Sequence, residues 1–445
     1  MSVKNLNGFI LTIFLSILLA SSLLNQDGVY PTYAAGIPQT SQWAAAAQVP
    51  AGLKIAEWTR DHEQLEMVYP ESASLRSSDS QVDDNFGWSV AISGDVLVVG
   101  APYEDGGFGN PVPDSGAAYI FERDFGGTDN WGEVAILYAS DAQPGDSLGW
   151  SVAISADTIV LGAIYEAGGP GDPLLFAGAA YVFERNLGGP NNWGEAAILH
   201  SSDPNAIDYF GQSVAISEDT LVVGAFAEDG GPGNPLSDAG AAYVYERDLG
   251  GENNWGEAVI LHASDTQSYD WFGRSVAISL DTIGVGANGE DGGLGNPLED
   301  SGAAYVFSRD LGGVDNWGEA AILRASDAQT MDSFGRSVTI SLDTIAVGAF
   351  GEDGGPGDPL PLSGAAYIFE RNVGGENYWG EAAVLHASDA QSNDWFGVSA
   401  GISGETVVVG AYAEDGGPGD PLFNSGAAYV SQRSSATIYL PAVLK

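Results

Sequence analysis

Apolar and polar residues alternate with a period of two in short runs, and the runs return along the chain. In Phe210–Ser217 (FGQSVAIS) the apolar side chains at 210, 214 and 216 share one face, with Ser213 and Ala215 on the other. That alternation is the mark of a β-strand. Glu218-Asp219 makes a short turn, and Thr220–Ala225 (TLVVGA) is continuously apolar, which predicts a strand covered on both faces. A Gly/Pro-rich loop over 228–235 leads to a third strand at Ala241–Glu246. Asp248–Gly251 turns the chain again, and Trp255–Leu261 forms the fourth strand. The unit is a four-stranded antiparallel meander.

This unit is duplicated. The Phe-Gly pair at Phe86 returns at Phe210, Phe272, Phe334 and Phe396, and Leu148-Gly149 fills the remaining step of 62 residues. Gly-Ala pairs at 100, 162, 224, 286, 348 and 410 keep the same step. Six copies without insertion or deletion overrule any domain count taken from length. A sheet apolar on both faces must stack on others, and an open stack needs polar end units. Here the first and last copies are as apolar as the middle ones. The last copy also lacks a fourth strand after Arg433, whereas Glu71–Asp79 (ESASLRSSD) matches Glu133–Asp141 (EVAILYASD) at Glu, Ala, Leu, Ser and Asp. Pairing of that spare strand with the incomplete copy closes a ring. The expected fold is all-β: a β-propeller of four-stranded antiparallel blades, six by repeat count, closed by the N-terminal strand on the last blade.

Composition narrows the setting. Sixty acidic against 14 basic side chains give a net charge of −46, a field that repels nucleic acid and anionic membrane surfaces and favours cations or basic partners. Acidic loops also keep a two-sided β protein in solution. There are no cysteines, so disulfides and thiolate chemistry are excluded. Lys4 followed by the apolar stretch Phe9–Leu24 reads as an export signal, with cleavage after Ala34 preferred and Ala20-Ser21-Ser22 second. The expected organisation is a signal over 1–34, a linker over 35–70, the propeller over 71–433 and a tail over 434–445. No stable membrane span remains after cleavage, because no other segment is long enough.

Phe-Gly-x-Ser-Val-Ala-Ile-Ser, then Val-Val-Gly-Ala, then Gly-Ala-Ala-Tyr-Val-Phe resembles the FG-GAP repeat of integrin α-subunit propellers and their bacterial relatives. The resemblance covers residues 71–433, and Gly100-Ala101-Pro102 reproduces the motif in full. It implies, as an alternative to six, a seventh blade built from residues 36–70 and the C-terminal tail, and in many repeats a Ca²⁺ loop between strands one and two. In this chain that connection is as short as Ser93-Gly94-Asp95, so the family's metal site does not carry over.

The remaining Ca²⁺ candidates lie in the loop between strands two and three: Glu104, Asp105, Asp229, Asp291, Asp353 and Asp415. Adjacent acids before a glycine turn supply one or two of the six to eight oxygens that Ca²⁺ takes. Against this, an acidic turn facing water is the simpler reading. The acids two residues before each Phe-Gly (84, 146, 208, 270, 332, 394) are expected to cap that connection. His200, His262 and His386 share a repeat position with Tyr138 and Arg324, which reads as a surface site, and His62 stands alone. No asymmetric cluster points to catalysis. The Glu-Arg pairs ending strand three are expected to knit blade edges, and Trp131, Trp193, Trp255, Trp317 and Trp379 to pack between blades rather than stack on sugars.

The expectation is a secreted or cell-surface, non-catalytic propeller that binds an extracellular protein or glycan. The alternatives are an envelope or matrix module without a ligand, and a propeller hydrolase or lyase. What repeats six times builds the scaffold, so specificity belongs where copies differ: Leu148, Ala167, Phe176 and the two ends.

Overall fold

The computed structural model describes residues 73–433, except 108, 110, 129, 168–173, 232, 234, 294, 296, 315, 356–358 and 416–423. The signal, linker, His62 and tail expected from the sequence lie outside the described residues. Residues from Leu75 onward form one compact unit, and it is all β.

Blade one holds β1 (Ser89–Ser93), β2 (Val96–Ala101), β3 (Ala117–Arg123) and β4 (Trp131–Leu137). Blade two holds β5 (Leu148–Ser155), β6 (Thr158–Ala163), β7 (Ala179–Arg185) and β8 (Trp193–Leu199). Blade three holds β9 (Ser213–Ser217), β10 (Thr220–Ala225), β11 (Ala241–Arg247) and β12 (Trp255–Leu261). Blade four holds β13 (Phe272–Ser279), β14 (Thr282–Ala287), β15 (Ala303–Ser308) and β16 (Gly318–Leu323). Blade five holds β17 (Phe334–Ser341), β18 (Thr344–Ala349), β19 (Ala365–Arg371) and β20 (Trp379–Leu385). Blade six stops at three: β21 (Phe396–Ser403), β22 (Thr406–Ala411) and β23 (Ala427–Gln432).

Every sheet is an antiparallel meander in chain order, giving a six-bladed propeller. In blade three, Val222 of β10 faces Ala215 of β9 and Val244 of β11. All six residues of β10 are buried, as a strand apolar on both faces requires. A register shift between Val244 and Tyr245 bends β12 against β11, and it recurs in the other four complete sheets. Such bulges sharpen local twist.

The main cores lie between blades; a smaller one packs Leu75 and Phe86 on Val99, Tyr119 and Phe121 of blade one. One main core joins Val160, Ala180 and Val182 of blade two to Phe210, Leu221, Val223 and Tyr243 of blade three. Equivalent clusters fill the other four junctions. Full burial of one such side chain contributes about 1.5–3 kcal/mol.

The motif residues make the junction. Phe210 is buried and bridges to Gly178 of the preceding blade. The Gly211 carbonyl accepts a hydrogen bond from Ser151 Oγ at 2.8 Å, and a Cβ on Gly162 would stand 2.0 Å from that carbonyl oxygen. Gly-Ala of one blade and Phe-Gly of the next are therefore two halves of one close backbone contact. The Ser-to-Gly hydrogen bond recurs at all five junctions, at 2.7 to 3.0 Å.

The expected closure by residues 71–79 is not seen among the described residues. Residues 73–79 form no strand. Ser78 instead hydrogen-bonds Glu133 on β4, as Ser140 does Glu195 on β8. This segment thus serves blade one as the other connections serve the blades that follow them. β23 pairs only with β22. Val90 and Ile92 on blade one, and Val408 and Val430 on blade six, are exposed because no described blade lies against them.

Candidate functional site

The acidic loop residues have local work. Glu104 is buried, not turned to water, and its carboxylate accepts the N–H groups of Gly106 and Gly107, each at 2.8 Å. Glu228, Glu290 and Glu352 repeat this. Burial raises the pKa of Glu104 and Glu228, against those N–H donors. Asp105, Asp229, Asp291, Asp353 and Asp415 each accept the N–H nine residues on, at 2.7 to 3.0 Å. These carboxylates close their own loops. No group of three His, Cys, Asp or Glu among the described residues is arranged to hold a metal ion.

The second acidic series caps its connection as expected. Asp208 Oδ2 accepts the Asn205 N–H at 2.7 Å, and the other five copies do the same at 2.6 or 2.7 Å. Burial pushes Asp208, Asp270 and Asp332 up to about 7. A third series escaped sequence reasoning: Asp79, Asp141, Asp203, Asp265, Asp327 and Asp389 each accept the hydroxyl of the strand-three tyrosine, buried in the first five blades and half-buried in the sixth, at 2.7 to 2.9 Å. Its signal was a buried Tyr that needs an acceptor, at a constant separation of 40 residues from an acid.

The shared histidine position is half-buried rather than a plain surface site. His200 and His386 Nδ1 lie 3.7 Å from Glu166 and Glu352, and Arg324 bridges Glu290 and Asp265 at 3.0 Å each. The position recurs in five blades as Tyr138, His200, His262, Arg324 and His386 and organises the adjacent loops; nothing singles one copy out for proton transfer. The Trp series also serves the scaffold: Trp193, Trp255 and Trp317 are buried, each under an arginine guanidinium at 4.6 to 4.7 Å.

The six-fold pattern breaks at the end of the blades where Phe-Gly meets Gly-Ala. The residue after Phe-Gly is Trp88, Trp150, Gln212, Arg274, Arg336 and Val398 in turn. Trp88 stands 6.3 Å from Tyr103 and 4.7 Å from Trp150, ring centre to ring centre. Trp150 leads to Tyr165 at 5.8 Å, and Tyr165 to Phe176 at 5.1 Å and Tyr209 at 6.0 Å. Tyr209 stacks on Phe226 at 5.3 Å, and the Arg274 guanidinium covers Phe226 at 4.7 Å. Seven rings thus form one continuous row across blades one to three. A shorter run, Phe350, Trp395 and Tyr412, spans blades five and six. Trp88 and Tyr412 are exposed and the other members half-buried. Phe176 was singled out by its departure from the repeat; Leu148 is core, standing in for Phe.

A comparison with curated proteins finds no match. The family model described as the FG-GAP repeat matches residues 69–121, 131–183, 193–245, 255–307, 317–369 and 379–431. From the second on, each match begins at or one residue before a fourth strand and ends in strand three of the following blade, so the family's unit is staggered by one strand against the sheets. With six matched repeats over most of its length, the chain belongs to the FG-GAP repeat family.

Proposed function

We propose that the chain is an exported, non-catalytic binding propeller that takes a glycan on the row of rings at the Phe-Gly end of blades one to three. The observation that carries this is the row itself. Aromatic faces left half-open to solvent are the usual seat for the apolar faces of sugar rings and for interface anchors. The rings belong to positions that vary between copies, so the scaffold does not need them there. The charged export-like N-terminus supports an extracellular setting, and no helix among the described residues is long and apolar enough to cross a membrane.

A glycan array probed with the full chain tests the reading, followed by titration of the best ligand against the Trp88→Ala/Trp150→Ala variant. The expected result is binding that weakens at least tenfold in the variant, with its melting temperature kept within a few degrees. An empty array, or binding indifferent to both tryptophans, would overturn it. Capture of a specific protein by that same surface would replace the glycan with a protein partner.

A further inference from the structure

In a chain with 60 acidic and 14 basic residues, an arginine without a carboxylate is the anomaly. Seven described arginines, such as Arg185 with Glu122 and Asp157, contact Asp or Glu. Arg76 is exposed to solvent. Arg274 and Arg336 are different: they are half-buried, and their guanidinium groups form no ion pair or hydrogen bond among the described residues. They occupy the same repeat position in consecutive blades, the one where Trp88 and Trp150 touch in blades one and two. Burial lowers the pKa of both, Arg274 to about 10, and the charge of Arg336 is the second cause at Arg274. Two like charges, partly stripped of water and unpaired, oppose folding.

Their surroundings are those of a recognition site. The Arg274 guanidinium lies over Phe226, the last ring of the row. Phe226 follows the Gly-Ala of its blade, and Asn288 holds that position one blade on. Asn288 is only 6% exposed, and its Oδ1 has no hydrogen-bond partner. A guanidinium presents a planar fork of donors that matches a carboxylate or sulfate. The net charge of −46 does not forbid an anion here, because charges beyond about 8 Å are largely screened at physiological ionic strength.

We propose that Arg274 and Arg336 seat an acidic group, a carboxylate or a sulfate, of a glycan whose neighbouring sugars stack on the aromatic row. This rests on the glycan reading above and narrows it to acidic glycans.

Titration calorimetry with two matched pairs tests the proposal: oligogalacturonides against their methyl esters, and dextran sulfate against dextran. At least one acidic member should bind tenfold or more tightly than its neutral partner, and the pair that does so identifies the anion. In Arg274→Gln/Arg336→Gln that ratio should fall to about one. Should that variant fold poorly, Arg274→Lys/Arg336→Lys keeps the charges but loses the forks, and its ratio should also drop. Equal binding of acidic and neutral members, or a preference that survives both variants, overturns the anion seat and leaves the glycan reading standing. No binding of any glycan, here and on the array, overturns both.

Discussion

The five internal junctions and the two end faces are built from nearly the same residues in opposite surroundings. Val276 on β13 is 8% exposed and Val90, its counterpart on β1, is 67% exposed. Val306 on β15 is fully buried, and Val430 on β23 is 55% exposed. The strands form equally well in both places. Backbone pairing inside a blade therefore needs no neighbour, whereas burial depends wholly on one.

Four measurements sharpen that contrast. The largest effect is expected from Val276→Glu, which places an unpaired charge in a junction and should cost about 4 kcal/mol by urea unfolding. Val90→Glu should cost less than about 0.5 kcal/mol, as for an ordinary surface change. Equal losses would show that the end faces meet in solution. Next comes Gly286→Ala, whose Cβ would lie 2.0 Å from the Gly335 carbonyl oxygen of the next blade. It should cost about 3 kcal/mol through forced separation of two backbones. Gly410→Ala meets only the Ser399 side chain, which can rotate, so a loss of about 1 kcal/mol or less is expected.

The third measurement is a pH profile. Asp208, Asp270 and Asp332 stay protonated up to about 7 in the folded chain but ionise near about 3.9 when unfolded. Between those values the unfolded chain releases protons that the folded chain keeps, so stability falls as pH rises from about 4 to about 7. The melting temperature should be several degrees higher at pH 5 than at pH 8. The triple change to Asn should flatten the slope. Asp84→Asn/Asp394→Asn at the end blades should flatten it less, because less protein surrounds those carboxyls, although burial raises them too.

The smallest effect concerns the arginine ladder. Arg247 pairs with Glu184 of the previous blade and Asp219 of its own, and it covers Trp255. Its replacement by Met should cost about 1–2 kcal/mol. Arg433 holds Glu370 from an exposed position, so its replacement should cost about 0.5 kcal/mol or less. Similar values would mean that the ladder acts only through surface charge.

Much of the scaffold was legible because one pattern was written six times. The strands at 220–225 and 255–261 lie where the apolar runs and the Trp position put them. The Glu-Arg pairs do knit neighbouring blades, Arg185 to Glu122 among them. The loop glutamates were read as solvent-facing because a lone Glu before glycines shows no partner in sequence. Only the fold reveals that the partners are the next two glycine N–H groups. The aromatic row was hidden for another reason. Trp150 follows a Phe-Gly-type pair, Tyr165 follows a Gly-Ala by one residue, and Tyr209 precedes a Phe-Gly. Those positions share no period, and they come together only because adjacent blades bring three different loops to one end.

By itself the sequence determined the strand order, the repeat of 62 residues and the junction chemistry, since alternation and glycine placement act locally and recur in register. The tertiary structure decided which copies have neighbours, where the unlike residues converge, and which half-buried arginines among the described residues face no carboxylate. Those properties depend on distances between blades, and distances across a stack are set by packing rather than by position along the chain.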